Sequence, residues 1–216
     1  MISLKAEKKI EELYKKDWPA KRRPLDVAYV NFIVHEFRKG RILDIGCGFG
    51  ELIEALKASG FDVKGIVASK YEFDECKRKG LSVLLHDASK KLPYADESFD
   101  FIISIGSIEH IKGWQNALNE MHRVLKKNGK VLIETPNHSV FRKTKKYFNL
   151  KDDFDLFHIK EFDFDELVQE LDIRGFTDVK AHDKWFYYPN HFFLKAFDSL
   201  TPKAQLPYLF FSAVKK

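Results

Sequence analysis

Ile42-Leu43-Asp44-Ile45-Gly46-Cys47-Gly48-Phe49-Gly50 places an acid near the end of a short apolar run and three alternate glycines directly after it. The pattern predicts a buried strand, a tight turn and a helix starting near Glu51, whose free N–H groups point at the turn. Without a Cβ at 46, 48 and 50 the backbone can turn sharply and a nucleoside ligand can approach it closely. Dinucleotide sites space their glycines as Gly-x-Gly-x-x-Gly and seat a pyrophosphate on the helix N-terminus. Here the spacing is Gly-x-Gly-x-Gly, and Asp44 would repel a pyrophosphate. An acid at that place suits a ligand carrying an ammonium group and no phosphate, and S-adenosylmethionine is such a ligand.

The same strand-turn-helix grammar extends outward in both directions. Upstream, helices are expected over roughly 4–16 and 25–37, separated by Pro19 and Pro24. Downstream, a helix carrying Leu52, Ile53 and Leu56 is closed by Gly60. It leads to a strand over 62–67, a helix over about 71–79 ending at Gly80, and a strand over 81–85. Phe99 to Ile105 is nearly continuous in apolar residues, as a central parallel strand covered on both faces should be. A helix over 114–125 follows, with Asn128-Gly129 expected to stop it before a strand over 130–134. Asp163 is expected to cap a helix bearing Phe164, Leu167, Val168 and Leu171, and strands near 177–181 and 208–214 complete the set. Seven strands alternating with helices predict an α/β fold with a doubly wound, mostly parallel sheet and N-terminal helices, whose ligand sits at the carboxyl ends of the strands.

With 216 residues, the chain fits one domain: N-terminal helices over 1–39, a cofactor-binding core over 40–135, a substrate-facing insert over 136–162, and a closing helix and strands over 163–216. The first 17 residues are rich in Lys and Glu and lack an apolar signal core, and no run reaches the roughly 20 apolar residues of a membrane span. A soluble, cytoplasmic protein, monomeric or homodimeric, is expected. The two cysteines, Cys47 and Cys76, have no partners at metal-ligand spacing, so reduced thiols are expected. A net charge of +5 is mild, because the lysines are interleaved with nearly as many acids. Basic clusters at 15–23 and 142–146 could bind phosphates, but nucleic acid is not the favoured partner.

Several further segments, taken in order, make the chain similar to class I S-adenosylmethionine-dependent methyltransferases, in particular the small-molecule branch that includes quinone-biosynthesis enzymes. After the glycine turn come His86-Asp87-Ala88 with Leu92-Pro93 and Ser98-Phe99-Asp100. Ile108-Glu109-His110, Arg123 to Gly129, Thr135-Pro136-Asn137 and Gly175-Phe176 follow. The resemblance covers roughly residues 40–180. It implies S-adenosylmethionine as cofactor and methyl transfer to a small-molecule acceptor. Asp44 with Gly46, Cys47 and Gly48 would hold the methionine portion, on the turn that Gly50 completes. Asp87 and the N–H of Ala88 would take the adenine, and main chain at Ile105 and Gly106 would lie beside the methionine amine.

One position departs from the family. An acid that accepts from both ribose hydroxyls is expected at the end of the second strand, where this chain has Val67. Ser69 could substitute in part, as could Glu72 or Asp74. Ser69-Lys70 also suits a 2′-phosphate, but the glycine spacing and Asp44 argue against a dinucleotide. Methyl transfer from a sulfonium needs chiefly alignment and exclusion of water. A hydroxyl acceptor would add a need for a general base, for which His110 and His158 are the candidates, with His138 and Glu109 behind them. Glu109-His110 is also similar to a metal-ligand pair of some quinone O-methyltransferases, but two adjacent residues do not make a site and no metal is expected. The aromatic stretch Trp185 to Tyr188 with Phe192, Phe193 and Phe197 could wall an acceptor pocket or pack on the sheet.

Overall fold

The computed structural model of the chain describes residues 27–138, 140, 158–182 and 208–216. The expectations for the helix over 4–16, both basic clusters, the aromatic stretch over 185–197 and most of the insert over 136–162 fall outside these residues.

The described elements are α1 (Val27–Phe37), β1 (Arg41–Ile45), α2 (Glu51–Ala58), β2 (Asp62–Val67), α3 (Lys70–Arg78), β3 (Val83–Leu85) and β4 (Phe99–Ile105). A single 3-10 turn (Ile108–His110) leads to α4 (Trp114–Val124), β5 (Leu125–Pro136), α5 (Phe164–Ile173), β6 (Phe176–Ala181) and β7 (Tyr208–Lys215). The seven strands form one sheet in the order β3-β2-β1-β4-β5-β7-β6. The pairs from β3 to β5 are parallel, while β7 runs antiparallel to both β5 and β6.

Strand periodicity divides the core into two layers. On β1, Ile42 points to one face and Leu43 and Ile45 to the other; on β4, Ile103 and Ile102 do the same. One layer gathers Ile33 and Phe37 of α1, Ile53 and Leu56 of α2 and Cys76 of α3. The opposite layer gathers Trp114, Leu118 and Met121 of α4 with Leu167 and Leu171 of α5. Strands buried on both faces account for the nearly continuous apolar run of β4.

The structure corrects three local expectations. Asn128-Gly129 does not stop α4 ahead of the strand: α4 passes into β5 at Leu125. The pair lies within the strand, where Asn128 has φ of 61° and the register with β4 shifts between Phe99 and Phe101. Asp163 stands at the N-cap position of α5 without a side-chain bond to the first turn. The third strand is shorter than expected and begins at Val83.

Arg123, on the last turn of α4, ties down the irregular link into β4. Its guanidinium donates to both Glu120 carboxylate oxygens (2.6 and 2.9 Å), to Asp96 Oδ1 (2.7 Å) and to the carbonyls of Leu92 (3.0 Å) and Tyr94 (2.9 Å). Replacing Arg123 by Met leaves these acceptors without a fork of donors. Urea unfolding should show a loss of about 2 kcal/mol, with protease cutting concentrated near 92–97.

Candidate cofactor and acceptor site

The strand order reverses direction between β1 and β4, so the crevice at their carboxyl ends is where this sheet can admit a ligand. Asp44 and the turn at 46–50 lie there. Gly46 N and Cys47 N donate to Ile66 O (2.8 and 3.1 Å), which fastens the turn to β2. Gly46 has φ of 78°, and a Cβ built on it would come within 2.4 Å of Ser107 Cβ. Ser107 cannot retreat: its Oγ donates to Ile45 O at 2.6 Å and lies 2.8 Å from Ser104 Oγ. The hydroxyl brace is a supporting element that sequence reasoning missed; its only trace is the placing of small polar residues at 104 and 107.

Asp44 is 3% exposed and accepts no hydrogen bond from the described residues. Burial pushes its carboxyl up to about 7. A buried, unpartnered acid opening onto an exposed glycine calls for a ligand cation, and the ammonium of S-adenosylmethionine fits that demand. The Cys47 side chain is buried in the core layer that holds Ile53 and Cys76, with its Sγ 2.5 Å from where a Cβ on Gly65 of β2 would lie. Its contribution at the crevice is therefore backbone.

The second half of the crevice lies across β2 and β3. His86 N donates to Val67 O (2.9 Å), which sets Asp87 and Ala88 beside the end of β2. One oxygen of Asp87 accepts from Ser89 N (2.9 Å) and Ser89 Oγ (2.7 Å), leaving the other in an exposed side chain for an amine donor. Ser69 has a structural role in the helix that follows β2. It is the N-cap of α3, its Oγ accepting from Glu72 N at 3.4 Å. At the end of β4, Gly106 N is taken by Glu134 O (2.9 Å), so at this glycine the carbonyl is what remains for an amine.

His110 and His158, 48 positions apart, are brought together. Their rings meet edge to face at 4.9 Å between centroids, and His110 Nε2 is 4.0 Å from Glu109 Oε1. The local chain explains the meeting. The 3-10 turn after β4 presents Glu109 O to Ile159 N (2.8 Å) and Lys160 N (3.0 Å), which holds the segment carrying His158 alongside. Glu109 is 3% exposed and accepts from Thr135 Oγ1 at 3.1 Å. A recess lined by Glu109, Thr135, His138, His158 and Lys160 opens beside the pair. His138 is paired there with Glu161. Glu109, His110 and His158 offer ligand atoms within 4.8 Å of one another, so the fold adds a third residue to the pair that the sequence displayed. Two imidazoles and a carboxylate are a donor set suited to a divalent transition metal.

A doubly wound sheet with an acid-and-glycine turn at its switch point defines a nucleoside-cofactor enzyme scaffold of methyltransferase type. The methyltransferase-domain family matches residues 43–133, and the chain belongs to that family, whose cofactor is S-adenosylmethionine. Over 171 residues the chain is 31% identical to a demethylmenaquinone methyltransferase of Staphylococcus aureus, covering 67% of this chain and 71% of the relative. It is 33% identical over 152 residues to an uncharacterized protein of Methanocaldococcus jannaschii, covering 67% of this chain and 58% of that one. A ubiquinone biosynthesis O-methyltransferase of Pelagibacter ubique is 33% identical over 104 residues, 46% of this chain and 43% of the relative. The chain thus spans about half the length of several curated relatives it matches. The fold is shared with a crystal structure of an S-adenosylmethionine-dependent methyltransferase from Archaeoglobus fulgidus. That comparison has a TM-score of 0.69 at 20% identity and covers 94% of this chain and all of the other. Among the described residues no helix is long and apolar enough to cross a membrane.

Proposed function

We propose that the protein transfers a methyl group from S-adenosylmethionine to a hydroxyl of a small-molecule acceptor. The observation that carries this reading is the His110–His158 pair, set against buried Glu109 at the strand ends beside the cofactor turn. The bound cofactor supplies an electrophilic methyl group on a sulfonium. Asp44 would pair with the ammonium and fix the methionine arm on the glycine turn, while Asp87 and Ala88 N would hold the adenine. The acceptor would enter from the recess beside His158, and an imidazole of the pair would take the hydroxyl proton as the oxygen bonds to the methyl carbon and the carbon–sulfur bond breaks, leaving S-adenosylhomocysteine. Glu109, held by Thr135, lies 4.0 Å from His110 Nε2 and helps to orient the ring. The quinone-biosynthesis relatives support a planar, apolar acceptor, and the free cysteines support a cytoplasmic location.

The test is methylation of a cell-extract small-molecule pool with label carried on the methyl group. With an acceptor so identified, His110→Asn or His158→Asn should lower kcat about 10²- to 10⁴-fold while leaving cofactor affinity within about threefold. Wild-type kcat in both variants would rule out the histidine base. The three-residue ligand set offers a second reading, in which a cation lowers the hydroxyl pKa. Activity abolished by a chelator and restored by a divalent metal would favour it over the unassisted base.

A further inference from the structure

We propose that Glu72 is the residue that grips the ribose hydroxyls of the bound adenosyl group, in place of an acid at the end of β2; this rests on the cofactor reading above. A ribose joining a methionine arm at Gly46 to an adenine at Asp87 must cross the end of β2 and the start of α3. The residue ending β2 is Val67, which is 1% exposed and offers no acceptor. Of the nearby alternatives, Ser69 spends its hydroxyl oxygen on the α3 cap, and Asp74 is exposed and ion-paired with Lys70. Glu72 remains.

The glutamate is placed as a ligand group would be. Ser69-Lys70-Tyr71-Glu72 has the spacing of a capping box, in which the glutamate side chain returns to the N–H of the capping serine. Only half of that box forms: Glu72 N donates to Ser69 Oγ, and no return bond from Ser69 N to the Glu72 carboxylate is made. The carboxylate turns instead toward the glycine turn, with Oε1 4.0 Å from where a Cβ on Gly48 would lie. It is 9% exposed and accepts no hydrogen bond from the described residues. Burying a carboxylate without donors is costly. A vicinal diol supplies two donors at the spacing of its two oxygens, and the extra methylene of Glu over Asp lets a residue on the first turn of α3 reach back over the crevice.

Glu72→Met keeps side-chain length and helix propensity while removing both acceptors. Binding of S-adenosylhomocysteine and of its 2′,3′-dideoxy analogue to wild type and variant forms a thermodynamic cycle, with circular dichroism and melting to verify the fold. Wild type should prefer the natural ligand by about ten- to a hundredfold, and the variant should bind both within about threefold of each other. A variant that keeps the wild-type preference overturns the assignment while leaving the cofactor reading intact. A folded wild type that binds neither ligand up to millimolar concentration removes the cofactor reading and this inference with it.

Discussion

Asp44→Asn should make the ligand-free protein more stable at pH 8 and remove S-adenosylmethionine binding. The carboxyl is held from its ordinary 3.8 up to about 7 by burial alone. The folded state therefore binds the proton more tightly than the unfolded chain. That contribution to stability is fully present below pH ~4, declines as pH rises toward 7, and is gone above it. The displacement corresponds to about 4 kcal/mol. An amide keeps part of the burial cost, so the expected gain is about 1–3 kcal/mol, seen as a rise of several degrees in Tm. Binding moves the opposite way: without the carboxylate a buried ammonium is unpaired, and calorimetry should show at least about a hundredfold loss. The wild type should bind more tightly as pH climbs to about 7 and then level off, since the ligand requires the ionised acid. Glu72, likewise raised to about 7 by burial, adds to that slope. Asp44→Asn flattens the part due to Asp44. A variant that is less stable than wild type at pH 8, or that still binds, would contradict the reading of Asp44 as a desolvated acid reserved for a cation.

Gly46→Ala should cost about 2–5 kcal/mol in urea unfolding. About 1–2 kcal/mol comes from the left-handed backbone, at φ of 78°, and the rest from overlap with Ser107. The overlap is severe because Ser107 is anchored through Ile45 O and Ser104. Two controls separate the contributions. Gly80→Ala has φ of 70° and nothing within 4 Å of the new methyl, so it should show the backbone part alone. Ser107→Gly in the Gly46→Ala background should recover the steric part. Equal costs at 46 and 80 would show that the serine brace yields.

Local patterns carried most of the sheet. The apolar run of β4 and the glycine turn after β1 were legible because each is written in adjacent residues. The start of β5 was not, because Asn128-Gly129 is a helix-stopping pair by composition. Only the approach of Gly129 to Asp100 O of β4, where a Cβ would come within 2.9 Å, makes the pair a bulge instead. In the site, Asp44 near the end of β1 and Asp87 after β3 were legible as candidates from their places along the chain. The partnership of His110 with His158 could be proposed for each residue but not for the two together, since it depends on backbone bonds from Ile159 and Lys160 to Glu109. Ser69 illustrates the opposite limit, its hydroxyl being committed to a cap that its spacing to Glu72 already spelled. The direction of the Glu72 side chain is a rotamer choice made by burial, and no spacing rule encodes it.

The placing of β7 between β5 and β6 has a kinetic consequence. Among the described residues β6 has β7 as its one neighbour in the sheet, so a chain emerging from the ribosome holds residues 176–181 without that partner strand until 208–215 have been made. At cellular elongation rates that wait is roughly two to seven seconds. The parallel half from β3 to β5, which carries the whole crevice, faces no such delay. Premature termination before residue 208 should therefore yield nascent chains with a formed nucleoside crevice and an unpaired β5 edge, the species most exposed to strand addition by another copy.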